Sequence, residues 1–246
     1  MELTVLGADG TFPRAHSACS GYLMQHDGFN LWMDAGNGTL SFLQEHISME
    51  QVDAIFLSHA HVDHCADVYP FFYQLLNEPR TVPLFTAPRV RDKLEGLVGG
   101  DSRKEFSELF AWRVLETGDV TDIGPFRFEA FNAAHSTANV TARIQAGGKT
   151  LCYSGDTGPN PDLANAARDA DVFLCEASWL AKDKGLMDPI HMLASEAGAA
   201  ARDAGARRLV LTHVWPVNPL DQIREETSTT YDGTIEFARE LGTTTI

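Results

Sequence analysis

Apolar residues are grouped along the chain into short runs separated by glycine, proline and polar clusters, and the spacing inside each run sets its expected element. Residues 2–6 read as a strand, closed by the turn Gly7-Ala8-Asp9-Gly10. Runs at 20–25 and 29–34 flank Asp27-Gly28, a hairpin signal. The apolar run 54–57 reads as a buried strand, and 82–86 as another. Runs at 126–133, 140–145 and 149–154 give three successive strands, and 172–175 and 208–212 two more. Helical spacing is expected at 39–46, 65–76, 88–98, 162–170, 193–205 and 220–227. Pro70 inside the second of these marks a kink or an early boundary, and Pro88 suits the first turn of the third. Residues 99–115 read less clearly, as a helical piece around 103–110 with a charged, solvated face.

The first half is thus a β-rich run with helices. The second is a run of strands followed by alternating helices and strands. No internal repeat is detectable by residue identity, and no low-complexity segment or linker interrupts the chain. Pattern alone defines a layered α/β or α+β protein, and the order suits two packed sheets with helices outside. A length of 246 residues with 44% hydrophobic content suits one compact domain over 1–246.

Composition narrows the setting. The start has neither a basic region nor a long apolar run, so no signal peptide is expected, and no stretch is apolar enough to span a membrane. Cys19, Cys65, Cys152 and Cys175 form no CxxC pair and read as reduced core thiols of a cytoplasmic protein. The formal net charge of −15 argues against a long nucleic-acid partner, which needs a basic face. A small phosphate substrate remains compatible, because metal ions supply local positive charge.

The chemistry concentrates just after the apolar run 54–57, in Ser58-His59-Ala60-His61-Val62-Asp63-His64. A third of the nine histidines lie in this stretch. Neutral imidazole and ionised carboxylate are the usual ligands of zinc and neighbouring divalent metals. Three more ionisable residues, His135, Asp156 and His213, each stand alone just past an expected strand. Strand ends along one edge converge, so their loops can build one site.

His59-x-His61-x-Asp63-His64 resembles the HxHxDH signature of the metallo-β-lactamase-fold hydrolases. The resemblance implies an α+β fold, a four-layer αββα sandwich. It also implies two divalent metal ions, with His59, His61 and His135 on one and Asp63, His64 and His213 on the other. Asp156 would bridge them, with a hydroxide on the open side, and Asp63 would also accept the proton of the attacking water. Zn²⁺ is the first expectation, and Mn²⁺, Fe²⁺ and Co²⁺ suit the same donors.

The stretch from Asp156 to His213 bears on the substrate. Glu176, in Phe173-Leu174-Cys175-Glu176-Ala177-Ser178-Trp179, and His191, in Ile190-His191-Met192, are similar to paired elements of the phosphodiesterase branch that includes ribonuclease Z. There a histidine stands beside the metals and a glutamate orients it. A protonated His191 could supply a proton to a leaving alkoxide, and Glu176 behind it would raise its pKa. Cys175 departs from the histidine common before that glutamate, and Met192-Leu193-Ala194 from the usual Ser/Thr-rich run.

Ribonuclease Z carries a long tRNA-gripping arm between its third and fourth motifs. Here His135 and Asp156 are only 21 residues apart, filled by two expected strands. The chain is closer to compact actinobacterial cyclic nucleotide phosphodiesterases, which resemble it in Ser154-Gly155-Asp156-Thr157-Gly158 and in the segment around Glu176. The resemblance implies a small phosphodiester substrate such as a cyclic nucleotide. The alternatives are an armless RNA nuclease and a carbon-ester, lactam or thioester hydrolase. A homodimer fits the branch. Lys182, Lys184 and Arg143 are candidates for phosphate or ribose contact, although a solvated role suits each. Phe71, Phe72 and Tyr73 are candidates for stacking on a base, although core or dimer contact suits them better, and Trp179 and Trp215 suit the mouth of the pocket.

Overall fold

The computed structural model describes residues 1–185 and 189–246, and at Asp101 the backbone alone. Its strands run in chain order as β1 (Glu2–Gly7), β2 (Gly21–His26), β3 (Phe29–Ala35), β4 (Ala54–Leu57), β5 (Val82–Thr86) and β6 (Phe110–Val114). Then come β7 (Val120–Ile123), β8 (Phe126–Asn132), β9 (Val140–Ala146), β10 (Lys149–Tyr153), β11 (Val172–Glu176), β12 (Arg208–Thr212), β13 (Thr234–Phe237) and β14 (Thr243–Thr245). One sheet has the order β14-β1-β2-β3-β4-β5-β6 and the other β13-β12-β11-β10-β9-β8-β7. In each sheet two antiparallel pairings are followed by three parallel ones, β1 to β6 in the first and β8 to β13 in the second. The halves therefore repeat in topology, a relation that residue identity does not reveal.

Burial explains the patterns. β11 is buried at every position, as a parallel strand covered on both faces must be, and its sequence VFLCE is almost unbroken apolar. β8 alternates between buried and more exposed positions and turns one face to the core. The sheets pack face to face: Phe56 of β4 meets Phe128 of β8 at 4.7 Å between ring centroids, and Tyr22 of β2 meets Tyr153 of β10 at 5.2 Å.

The helices are α1 (Thr39–Leu43), α2 (Val62–Cys65), α3 (Val68–Asn77), α4 (Val90–Leu97), α5 (Arg103–Leu109), α6 (Pro161–Ala166), α7 (Ala194–Ala204) and α8 (Leu220–Ser228). Phe71 of α3 packs on Trp32 of β3, and Phe106 of α5 on Trp112 of β6. Ala197, Ala201 and Ala204 of α7 join a second apolar cluster with Phe173, Leu209 and Leu211 on the other sheet. Two sheets between outer helices make the αββα sandwich. Among the described residues no helix is long and apolar enough to cross a membrane.

The expected helix at 65–76 is two helices. α2 begins at Val62, so Asp63 and His64 stand on a helical turn rather than in a loop. Pro70 falls in the first turn of α3, where its missing N–H costs nothing. α4 starts two residues beyond Pro88, behind Arg89 in the left-handed conformation at φ 69°. The stretch expected to be unclear, 99–115, ends in strand β6. Phe71 and Phe72 are core residues, while Tyr73 is exposed. All four cysteines are free and buried. Burial pushes the Cys19 and Cys65 thiols up to about 12, which keeps them protonated and inert.

Candidate metal centre and active-site cleft

The chemistry-bearing residues lie just past strand ends on one edge of the sandwich. Asp34 is in β3, Ser58 and His59 follow β4, and His135 lies shortly after β8. Asp156 follows β10, Glu176 ends β11, and His213 follows β12. The seven expected metal-binding residues form two clusters that share Asp156.

In the first, His59, His61, His135 and Asp156 present donor atoms within 4.8 Å of one another. His61 Nδ1 lies 3.1 Å from both His59 Nε2 and His135 Nε2. Asp156 Oδ2 lies 3.6 Å from His59 Nε2 and 3.8 Å from His135 Nε2. Burial holds the His59 imidazole well below its ordinary pKa and also lowers His61 and His135, so their lone pairs stay available. A proton can serve one pair of these nitrogens, whereas a cation serves all three.

In the second, His64 Nε2 lies 3.1 Å from Asp156 Oδ1 and 3.7 Å from Asp63 Oδ2. His213 Nε2 lies 3.3 Å from the same Asp156 oxygen and 3.2 Å from Asp63 Oδ2. Burial opposes ionisation of Asp63 and Asp156, yet the neighbouring imidazoles pull both carboxyls well below the usual range. His64 moves the other way: burial lowers it, but Asp156, Asp63 and Asp34 lift it far above an ordinary imidazole. The carboxylates thus demand positive charge at this point. His64 Nε2 and Asp156 Oδ1 are buried without a hydrogen-bond partner, although they face each other. Buried polar atoms are normally satisfied, and a divalent cation between them would satisfy both. The donor set fits two cations.

A further layer of hydrogen bonds orients the ligands, the usual condition for a stable metal site. His135 Nδ1 donates to the Ile190 carbonyl at 2.9 Å, and His64 Nδ1 to Asp34 Oδ2 at 2.8 Å. Ser178 Oγ lies 2.9 Å from His213 Nδ1 and donates to Glu176 Oε2 at 2.7 Å. Asp34 also accepts from the Ser58 N–H, the Ser58 hydroxyl and the Tyr153 hydroxyl. Asp34 and His213 both hold φ near 50°, a conformation that Asp and His tolerate better than most residues. Close backbone approaches complete the frame. A Cβ at Gly36 would fall on the Asp63 carbonyl oxygen, and one at Gly10 would lie 2.7 Å from the His213 carbonyl.

Glu176 is fully buried and used by hydrogen-bond donors. It accepts from the Thr157 N–H, the Met192 N–H, the Ser178 hydroxyl and His191 Nδ1, the last at 3.0 Å. His191 lies over His213 with the rings 12° from parallel, and its Nδ1 is 4.0 Å from Asp156 Oδ2. Burial pulls the His191 pKa down, but Glu176 and then Asp156 overcome this and raise it to about 9. The structure thus brings all nine expected residues to one place.

Asp34 and Ser178 escaped the sequence reading. A signal for Asp34 existed: like Asp156, it is a lone carboxylate at the end of an apolar run. Trp179 and Trp215 line a cleft of about 630 Å³ together with His61, Asp63, Asp156 and His191. Arg143 is turned away from it and donates to the carbonyls of Ala166 and Arg168. Lys182 and Lys184 are exposed.

The chain belongs to the beta-lactamase superfamily, whose domain matches residues 29–214. A Bacillus subtilis protein bearing the name Probable metallo-hydrolase YhfI is 30% identical over 245 residues, covering 97% of each chain. The crystal structure of YhfI superposes with a TM-score of 0.89 at 28% identity, covering 99% of this chain and 98% of that one. The Mycobacterium leprae protein ML1173 is 34% identical over 96% of this chain and 85% of its own. Ribonuclease Z of Myxococcus xanthus is 27% identical over 97% of this chain and 95% of its own. With the His/Asp clusters, these likenesses make the protein a metallo-hydrolase of the metallo-β-lactamase fold, in the branch of ribonuclease Z and the phosphodiesterases.

Proposed function

We propose that the protein is a phosphodiesterase that cleaves a small phosphodiester, such as a cyclic nucleotide, at a centre of two divalent metal ions. His59, His61, His135 and Asp156 hold one ion, and Asp63, His64, Asp156 and His213 the other. The all-His/carboxylate donor set suits Zn²⁺ first and Mn²⁺, Fe²⁺ or Co²⁺ after it. Ions bound there lower the pKa of water toward neutrality and draw charge from the oxygens of an electrophile.

The protein's own residues do the rest. Asp63, on the wall of the cleft, accepts the proton of the attacking water. His191 is held at Nδ1 by Glu176, which leaves Nε2 for the substrate. As the water oxygen bonds to phosphorus and the P–O ester bond breaks, Nε2–H passes its proton to the departing ester oxygen; the product is a phosphomonoester, and the new hydroxyl stays on the same molecule when the diester is cyclic. Trp179 and Trp215 give a base or sugar an apolar wall.

The observation that carries this reading is the pair of half-buried His191 and buried Glu176 at 3.0 Å, beside the Asp156 shared by both clusters. A phosphodiester with an alkoxide leaving group needs such an acid. Hydrolysis of an activated carbon ester or lactam gives it less to do. The substrate is taken to be small because only the hairpin β9–β10 lies between His135 and Asp156 and the chain carries a net charge of −15.

The test is a turnover panel with protein shown to carry two metals. Bis-p-nitrophenyl phosphate and 3′,5′-cyclic AMP represent phosphodiesters. Nitrocefin, a lactone and a thioester represent carbon electrophiles, and a precursor tRNA represents long RNA. Hydrolysis of a phosphodiester with little carbon-ester cleavage is expected. No phosphodiester turnover by the two-metal protein would overturn the proposal.

A further inference from the structure

The cleft with Trp179 and Trp215 accounts for one side of the cluster. A second cavity of about 900 Å³ opens on the other side, and His61 lines both. The two cavities, or lobes, meet at the metal-binding residues: His135 lines the second, and Asp63 and Asp156 the first. Among the described residues no Lys or Arg lines the aromatic cleft itself, and Lys184 lines a smaller pocket that adjoins it at Trp179 and His191. The second lobe carries Arg89 and Lys93.

Arg89 is the left-handed residue that precedes α4 and Lys93 lies in that helix's first turn, and both side chains line this cavity. Lys93 Nζ lies 3.3 Å from Thr137 Oγ1, so its ammonium reaches the loop that carries His135. Among the described residues neither Arg89 nor Lys93 makes an ion pair, although the chain has 34 acidic residues against 19 basic ones. Among the described residues Glu116 is the single carboxylate on the cavity wall. In a protein of net charge −15, two free cations facing one acid beside the reactive centre form a local site for negative charge.

We propose that this lobe binds a second phosphate of the substrate, one nucleotide away from the bond that is cut. The inference rests on the phosphodiesterase reading and deepens it. A mononucleotide cyclic diester would occupy the centre and one lobe, leaving the cationic lobe without a partner. A short linear dinucleotide with a terminal phosphate engages both, with one base against Trp179 and Trp215 and the terminal phosphate at Arg89 and Lys93. Glu116 disfavours a second anionic group in the same lobe.

The test is calorimetric binding of uncleavable, methylene-bridged adenylyl dinucleotides to the two-metal protein. One ligand has a terminal phosphate, at the 5′ or the 3′ end, and the other has none. The wild-type protein should bind one of the phosphorylated ligands about tenfold more tightly than the bare one, with the margin shrinking as salt rises. R89A/K93A should bring the two dissociation constants within about twofold of each other, and R89K/K93R should keep most of the preference. Circular dichroism and metal content check the fold. Lys93 is exposed on α4, so Lys93→Ala alone serves if the double variant misfolds. Equal binding of all ligands by the wild type, a preference that survives R89A/K93A, or no binding of any ligand would overturn the subsite. Failure of the phosphodiesterase reading is separate, because it shows as absent turnover in the panel above while binding is still read directly.

Discussion

Replacing Asp34 by Asn should weaken one of the two metal ions without touching a ligand. The carboxylate is fully buried and accepts four hydrogen bonds, from the Ser58 N–H, the Ser58 hydroxyl, the Tyr153 hydroxyl and His64 Nδ1. Three of the four donors, the Ser58 hydroxyl, the Tyr153 hydroxyl and His64 Nδ1, meet Oδ2, and the Ser58 N–H alone meets Oδ1. Asn keeps its oxygen where the three donors converge and turns its NH₂ to the Ser58 N–H, which loses its acceptor at about 1–3 kcal/mol. Removing a buried charge recovers part of this, so the metal-free protein should lose about 1–2 kcal/mol. The larger consequence concerns the basicity of His64. A neutral amide oxygen replaces the carboxylate behind Nδ1, so Nε2, the atom that meets Asp156 at 3.1 Å, becomes a weaker donor to a cation. Loss of such an orienting partner costs about 10–100-fold in metal affinity. Calorimetric titration against a competing chelator should show one site weakened by that factor and the other nearly unchanged. Two sites of wild-type affinity in D34N would refute this role of Asp34.

Three other substitutions probe different parts of the site. Asp63→Ala should abolish turnover and leave one metal bound, because His59, His61, His135 and Asp156 remain intact; metal analysis finding both ions lost would refute the division into two clusters. Glu176→Gln removes the charge that lifts His191 to about 9, and burial then pulls the imidazole down. Because the acid form is lost as pH rises through that pKa, the alkaline limb of kcat should move to lower pH, and an unmoved limb would exclude His191 as the acid. Gly36→Ala forces a Cβ onto the Asp63 carbonyl oxygen and to 2.6 Å from the Ser20 carbonyl. Scanning calorimetry should report a loss of about 2–3 kcal/mol, typical of overpacking against groups that cannot yield.

The two parts of the site differ in how far the sequence exposes them. His59, His61, Asp63 and His64 lie within six positions, so chain neighbours are also spatial neighbours and the cluster is visible at once. His135, Asp156 and His213 are legible because each follows a strongly apolar run and strand ends share an edge. Asp34 ends an apolar run as Asp156 does, but the groups it holds are set by strand pairing and sheet packing. The parallel pairing of β3 with β4 brings it within hydrogen-bond reach of Ser58 just past β4, and the packing of the two sheets brings Tyr153 to it. Neither relation is local in the chain. Short strands were hidden for a related reason. β7, β13 and β14 are exposed or half-buried at most positions, so no apolar run betrays them. They lie at or beside sheet edges, and pairing with a neighbour rather than their own pattern makes them strands. Arg89 and Lys93 fall within the helix expected at 88–98, and only the fold places them beside His61 and His135.

The central claim is that His191 protonates a leaving oxygen at phosphorus, and leaving-group dependence tests it most directly. With two metals confirmed bound, kcat of His191→Ala is compared with wild type on 3′,5′-cyclic AMP, which expels an alkoxide, and on bis-p-nitrophenyl phosphate, whose nitrophenolate departs without help. The loss should be about 10²–10⁴-fold on the first and under about tenfold on the second. Equal losses on both substrates, or none on cyclic AMP, would contradict the account.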